Sequence, residues 1–238
     1  KGEDVVNLNY KAVDAALQNI VEVPVPAKAT SKKHIHSPVP ENAPEFVKKV
    51  TAKMLANNGD SLPVSAIPDD GTWPTATTQY EKRNIGVKIP IWEPDACIQC
   101  AQCSFVCPHA SIRVKAYEPS QLNGAPSAFK SVDAMGKDLT GLKFTVQVAP
   151  EDCTGCGSCV FNCPGQKKDA DGTKIEGVKA INMKLQEPLR KEEAENYDFF
   201  LNLPETDRSR FKVTNVKGSQ FVKPLFEYSG ACLGCGET

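Results

Sequence analysis

Histidine (three residues), tryptophan (two) and net charge (formally −1) are all scarce in these 238 residues, and each scarcity excludes something. With 28 basic residues against 29 acidic ones, and no Lys or Arg run interleaved with aromatics, the chain lacks the electrostatic footprint of a nucleic-acid-binding surface. No apolar stretch approaches the roughly 20 residues that a bilayer-spanning helix needs, so no membrane partner is expected. The amino-terminal "KGEDVVNLNY" has neither an initiating Met nor a signal-peptide core. Nor is there a Gly-rich phosphate loop, a paired-carboxylate motif, or a Ser or Cys nucleophile with an evident base, so no catalytic residue is assigned. Cysteine is missing from residues 1–96, although the chain has ten. Disulfide frameworks spread their cysteines to close long loops, whereas eight of these crowd between Cys97 and Cys163. Crowding favours metal ligation in a reducing, cytoplasmic compartment.

Residues 9–20 place Ala12, Val13, Ala16, Leu17 and Ile20 on one helical face, with Asn9 as N-cap. Residues 1–22 thus read as the carboxy-terminal helix of a preceding domain. Residues 23–40, "VPVPAKATSKKHIHSPVP", read as an extended linker. Residues 41–90 hold a helix from about Pro44 to Asn57, then a Pro- and Gly-punctuated loop. Asn42 and Glu45 supply its cap-like start, Phe46, Val47, Val50 and Met54 its apolar stripe, and Asn58-Gly59 its stop. A strand over "KFTVQVAP" and a helix over 191–203, ended by Pro204, complete the coarse reading.

The chemistry lies in residues 91–190. "PDACIQCAQCSFVCP" (94–108) aligns without gaps on "PEDCTGCGSCVFNCP" (150–164), sharing four cysteines, both prolines and a Phe. Three thiolates at i, i+3 and i+6 can wrap three corners of one iron–sulfur cube. The fourth Cys precedes a Pro whose fixed φ suits the first turn of a helix, which would carry it away from its own loop. In two-cluster ferredoxins that thiolate binds the other cluster. Cys97, Cys100, Cys103 and Cys163 are therefore assigned to one 4Fe–4S centre, and Cys153, Cys156, Cys159 and Cys107 to the second. Gly155 and Gly157 allow backbone N–H groups to approach the sulfurs. Phe105 and Phe161 are expected as core aromatics covering the clusters, and His109 as a surface residue. A zinc site, the rival metal reading, wants two ligand pairs and leaves the third and fourth Cys of each run surplus.

The fold class expected is α+β. It is a two-cluster bacterial ferredoxin-like domain with a long insertion (Tyr117 to Leu142), flanked by an amino-terminal helix, the linker and a carboxy-terminal helical and loop segment. The segments "LPVSAIPDDGTWPTATTQYEKRNIGVKIPIWEPDACIQCAQCSFVCPHASIR", "FTVQVAPEDCTGCGSCVFNCP", "YDFFLNLPE" and "QFVKPLFEYSGACLGCGET" together resemble pyruvate:ferredoxin (flavodoxin) oxidoreductase. That resemblance covers essentially the whole chain, both inside and outside the cysteine runs. It implies oxidative decarboxylation of pyruvate with coenzyme A to acetyl-CoA and carbon dioxide, with electrons leaving to ferredoxin or flavodoxin. It also implies that residues 191–238 hold a helix and the start of the thiamine-diphosphate-binding domain. Cys232 and Cys235 would then be partial ligands of a third 4Fe–4S cluster. That cluster, thiamine diphosphate and Mg would be complete only in the intact enzyme, a homodimer, with this chain as an excised relay piece bound to the remaining domains. The alternatives are a stand-alone two-cluster ferredoxin and an electron-transfer segment of another 2-oxoacid:ferredoxin oxidoreductase.

Overall fold

The computed structural model describes residues 2–32 and 37–224, and the chain divides into two units, Lys1–His36 and Ser37–Thr238. The first unit is α1 (Glu3–Gln18) followed by extended chain. α1 starts well before Asn9, with Gly2 as its cap residue and Glu3 and Asp4 in the first turn, where the helix dipole favours acids. Asn9 is therefore an interior residue and no cap; its side-chain amide donates to the Val5 carbonyl at 2.9 Å. The Val13, Leu17 and Ile20 stripe is exposed in this unit.

The second unit opens with a helical segment over 45–55 that is not uniformly α. A wide π turn, Val47–Thr51, runs into α2 (Ala52–Leu55). The π turn inserts one extra residue and so rotates the register. Leu55, not Met54, consequently packs with Val39, Ala43 and Val47, while Met54 is exposed. Glu45 makes no capping bond; its carboxylate pairs with Lys48 and Lys49 at 2.8 and 3.1 Å. Asn57, in the left-handed region at φ 55°, ends the helix one residue before the expected stop.

Two strand–loop–strand halves follow. The first is β1 (Lys88–Trp92), the loop bearing Cys97, α3 (Gln102–Phe105) and β2 (Ile112–Tyr117). A long insertion carries β3 (Val132–Asp133) and leads to the second half. That half has β4 (Lys143–Val148), the loop bearing Cys153, α4 (Ser158–Phe161), a hairpin of β5 (Gln166–Lys168) and β6 (Lys174–Lys179), and then β7 (Ile181–Leu185). β1 pairs antiparallel with β7 (Pro90 opposite Met183), and β2 with β4 (Val114 opposite Val146). The first strand of each half thus pairs with the last strand of the other, so the two larger pairings each join both halves, and among the described residues only the β5–β6 hairpin lies within one. β3 adds to the free edge of β4, with Val132 opposite Phe144. Trp92, Ile112, Val114, Phe144, Val146 and Ile181 from both halves form one core. The result is the expected α+β architecture of small antiparallel sheets flanked by helices. Among the described residues, no helix is long and apolar enough to cross a membrane.

α5 (Arg190–Asn202) and the segment after it cover the outer face of this domain. All six residues of β2 are buried, including Arg113 and Lys115, the latter only 1% exposed. Alternation along "IRVKAY" would put both cations in water. Instead the Lys115 ammonium donates to the Leu203 and Phe200 carbonyls at 2.6 and 3.2 Å, at the carboxy-terminal end of α5, and pairs with Glu205 at 3.1 Å. Thr206 locks the same seam, its hydroxyl donating to the Ala116 carbonyl and accepting from the Ala116 amide. Finally α6 (Val216–Ser219) returns the chain toward α3, where the Ser104 hydroxyl donates to Gln220 Oε1 at 2.7 Å.

Candidate metal centres

Each cysteine loop is bent by two residues in the left-handed region: Gln99 and Ala101 in the first (φ 54° and 60°), Gly155 and Gly157 in the second (71° and 77°). The bends turn amides inward. The Gln99 N–H donates to Cys97 Sγ at 3.3 Å, and the Gly155 N–H donates to Cys153 Sγ at 3.4 Å. These twin bonds draw charge from a sulfur that would otherwise bear it alone. A Cβ at Gly155 would lie 2.9 Å from the Lys88 carbonyl, so close approach does require glycine there. At Gly157 a Cβ would meet nothing within 4 Å, so that glycine answers only to its φ.

The helical turns α3 and α4 then present Cys103 and Cys159, both buried. These turns precede the fourth cysteine of each run, contrary to the expectation of a helix after it. No helix follows Pro108 or Pro164, and the chain passes instead into the turn before β2 and into β5. Proline, lacking an N–H, suits a chain leaving a helical turn as well as one entering it.

The leaving chains cross. Cys97, Cys100, Cys103 and Cys163 line one cavity, walled by Phe144, Val146 and Ile181. Cys153, Cys156, Cys159 and Cys107 line another, walled by Ile112, Val148 and Met183. Each cavity is ringed by three thiols of one loop and the fourth of the other. All eight are free thiols. They ring a volume rather than a point: among the described residues, no three His, Cys, Asp or Glu side chains converge as a single ion would require.

The electrostatics fit a centre that supplies positive charge. Burial pushes the Cys103 thiol far up, with the Cys97 and Cys159 thiols adding to it. Burial likewise pushes Cys159 up to about 12 and Cys153 up to about 11, and raises Cys97. Cys156, at the exposed rim, goes the other way: partial burial raises it, but hydrogen bonds with Ser158 and Thr154 outweigh this and lower its pKa. Thiols that are costly to ionise when buried are suited to a metal that takes the place of their protons.

Several residues depart from expectation. His109, expected at the surface, is 3% exposed and walls the second cavity beside Cys107. Phe105 and Phe161, expected to cover the centres, are 58% and 84% exposed. The strand residues Phe144, Ile181, Ile112 and Met183 wall the cavities instead. Their alternation along β2, β4 and β7 was the available signal. Lys217 gave none: from α6 its ammonium donates to the Met135 carbonyl at 2.6 Å and lies 5.6 Å from the Phe144 ring centroid. Burial lowers its pKa, and the nearby Cys97 and Cys100 act against that. Cys232 and Cys235 lie outside the described residues.

Residues 96–167 match the 4Fe-4S dicluster domain family, and residues 32–86 match EKR, a domain of unknown function. The crossed cavities thus belong to an iron–sulfur dicluster domain, a class of electron relay. Over its full length the chain is 52% identical to the pyruvate-flavodoxin oxidoreductase of Trichormus variabilis and 49% identical to that of Nostoc sp., covering 20% of each. It is 46% identical to the pyruvate:ferredoxin oxidoreductase of Moorella thermoacetica, again over its full length, and covers 19% of that protein. The chain is thus similar over its full length to pyruvate-flavodoxin and pyruvate:ferredoxin oxidoreductases, and spans about a fifth of the length of the relatives it matches.

Proposed function

We propose that this chain is the segment that carries electrons within a pyruvate-oxidising enzyme, through two 4Fe–4S clusters whose ligand sets are exchanged between its halves. Cys97, Cys100, Cys103 and Cys163 would hold one cluster, and Cys153, Cys156, Cys159 and Cys107 the other. The observation that supports this most is the lining of the two cavities, three thiols from one loop and one from the other in each. Each cluster, when bound, would take up and release one electron at a time. The chain's own residues supply the rest. Gln99 and Gly155 donate to ligand sulfurs, and the apolar walls from β2, β4 and β7 exclude water. Cys103, near enough to Cys159 to feel its charge, brings the two sites together across α3 and α4.

In the intact enzyme, pyruvate and coenzyme A would give acetyl-CoA and carbon dioxide, with electrons leaving to flavodoxin or ferredoxin. Thiamine diphosphate, Mg and the remaining ligands of a third cluster begun by Cys232 and Cys235 would come from the other domains. Iron and acid-labile sulfide analysis of the anaerobically purified chain tests the reading. About eight of each per chain, with visible absorption that bleaches on reduction, is expected for two cubes. Zinc without sulfide would reject it, and acetyl-CoA formation by this chain alone would reject the relay-only role.

A further inference from the structure

The residues entering β1 lie across the second cysteine loop and include the end of the EKR segment, Glu81-Lys82-Arg83. The Lys82 ammonium meets Asp152 Oδ2 at 2.5 Å, and the Asp152 side chain is only 2% exposed. Asp152 precedes Cys153, and its charge acts on that thiol. The Asn84 amide donates to the Glu151 carbonyl at 2.9 Å. Gln186, at the end of β7, donates its side-chain amide to both Asn84 Oδ1 and the Pro150 carbonyl. At Gly86 the backbones touch: an added Cβ would lie 2.5 Å from the Cys153 carbonyl and 3.3 Å from the Gly155 nitrogen.

We propose that residues 81–88 form a strap that fixes the second cysteine loop, and that Lys82, by neutralising buried Asp152 beside Cys153, is a positioning residue that sets this centre's reduction potential. The proposal rests on the two-cluster reading above. Adding an electron makes a cluster more negative, so an uncompensated carboxylate opposes reduction and an uncompensated ammonium favours it. Lys82 is 38% exposed, but the Asp152 carboxylate is buried, so its own charge is screened little by solvent.

The test is a reductive titration of the whole chain followed by electron paramagnetic resonance, with Cys107→Ala marking the second centre's signal. Lys82→Met should make the second centre about tenfold harder to reduce, about 59 mV for one electron. Asp152→Asn should move it the opposite way, Lys82→Arg should restore it, and the first centre should stay put. Shifts of the same sign, shifts shared by both centres, or none would overturn the proposal, since a merely structural pair gives no opposed signs. Where Lys82→Met cannot be loaded with iron, Gly86→Ala supplies a second readout. Lifting the strap should speed iron release to a chelator at least tenfold from the second centre alone. Equal or unchanged release from both would overturn the strap. Wild-type chain lacking two distinguishable centres would overturn the relay reading and the strap with it, whereas two centres with unmoved potentials overturn the strap alone.

Discussion

The two cysteine loops have the same spacing and the same bends, yet they meet the bends with different residues. The second uses Gly155 and Gly157; the first puts Gln99 and Ala101 in the same left-handed region. That region costs an ordinary residue roughly 1–2 kcal/mol, so the first loop must recover the cost elsewhere. Gln99 does so with its side chain, whose amide donates to the Asp133 carbonyl at 2.8 Å and whose Oε1 accepts from the Met135 amide at 2.7 Å. Two such bonds, at about 0.5–1.5 kcal/mol each, are of the right size to offset the strain. At Gly155 no side chain could do this, because the Lys88 carbonyl stands where a Cβ would be. The bend is therefore common to both loops, while the residue chosen follows the neighbour: the insertion fills the space beside one loop and the backbone leading into β1 fills it beside the other.

The largest effect should come from breaking the exchange itself. Cys163→Ala should remove the centre of the opposite, first loop, so that iron falls to about half, with the lost resonance identified against Cys107→Ala. Retention of that resonance would contradict the exchanged assignment. Next comes Gly155→Ala, which combines a left-handed φ with a contact 2.9 Å from the Lys88 carbonyl. About 2–3 kcal/mol should be lost in denaturant unfolding. Gln99→Gly should cost about 1 kcal/mol, since relief of strain only partly offsets two lost bonds. Its signature is faster amide exchange at Met135. Gly157→Ala should cost about 1 kcal/mol from φ alone, its surroundings being open. The smallest change belongs to Ala101→Gly, within about 1 kcal/mol of wild type, because relief of the bend is countered by lost burial and a looser unfolded chain. Thermal unfolding of this pair side by side checks whether the bend carries the same cost in both loops.

What could be read from residues alone was the part that is local in sequence. The cysteine spacing, the strand over 143–148 and the helix over 190–202 all depend on neighbours a few positions away. Contacts between distant elements were not legible. Lys115 is buried because the end of α5 arrives to cover β2, and nothing within "IRVKAY" announces that cover. His109 is buried because the second cavity forms from residues of the other half. Met54 gave way to Leu55 for a subtler reason, a π turn whose extra residue is invisible to a 3.6-residue pattern. Phe105 and Phe161 misled because their repetition in both halves looked like core symmetry, whereas both are exposed.

The crossing of the fourth thiols also bears on how such a protein is made. During synthesis the first loop emerges with three sulfurs and has to wait for the insertion, β4 and the whole second loop before Cys163 leaves the ribosome. The second ring, which takes Cys107 from the first loop, closes as soon as Cys159 has emerged, so a chain interrupted between the halves completes neither ring of thiols.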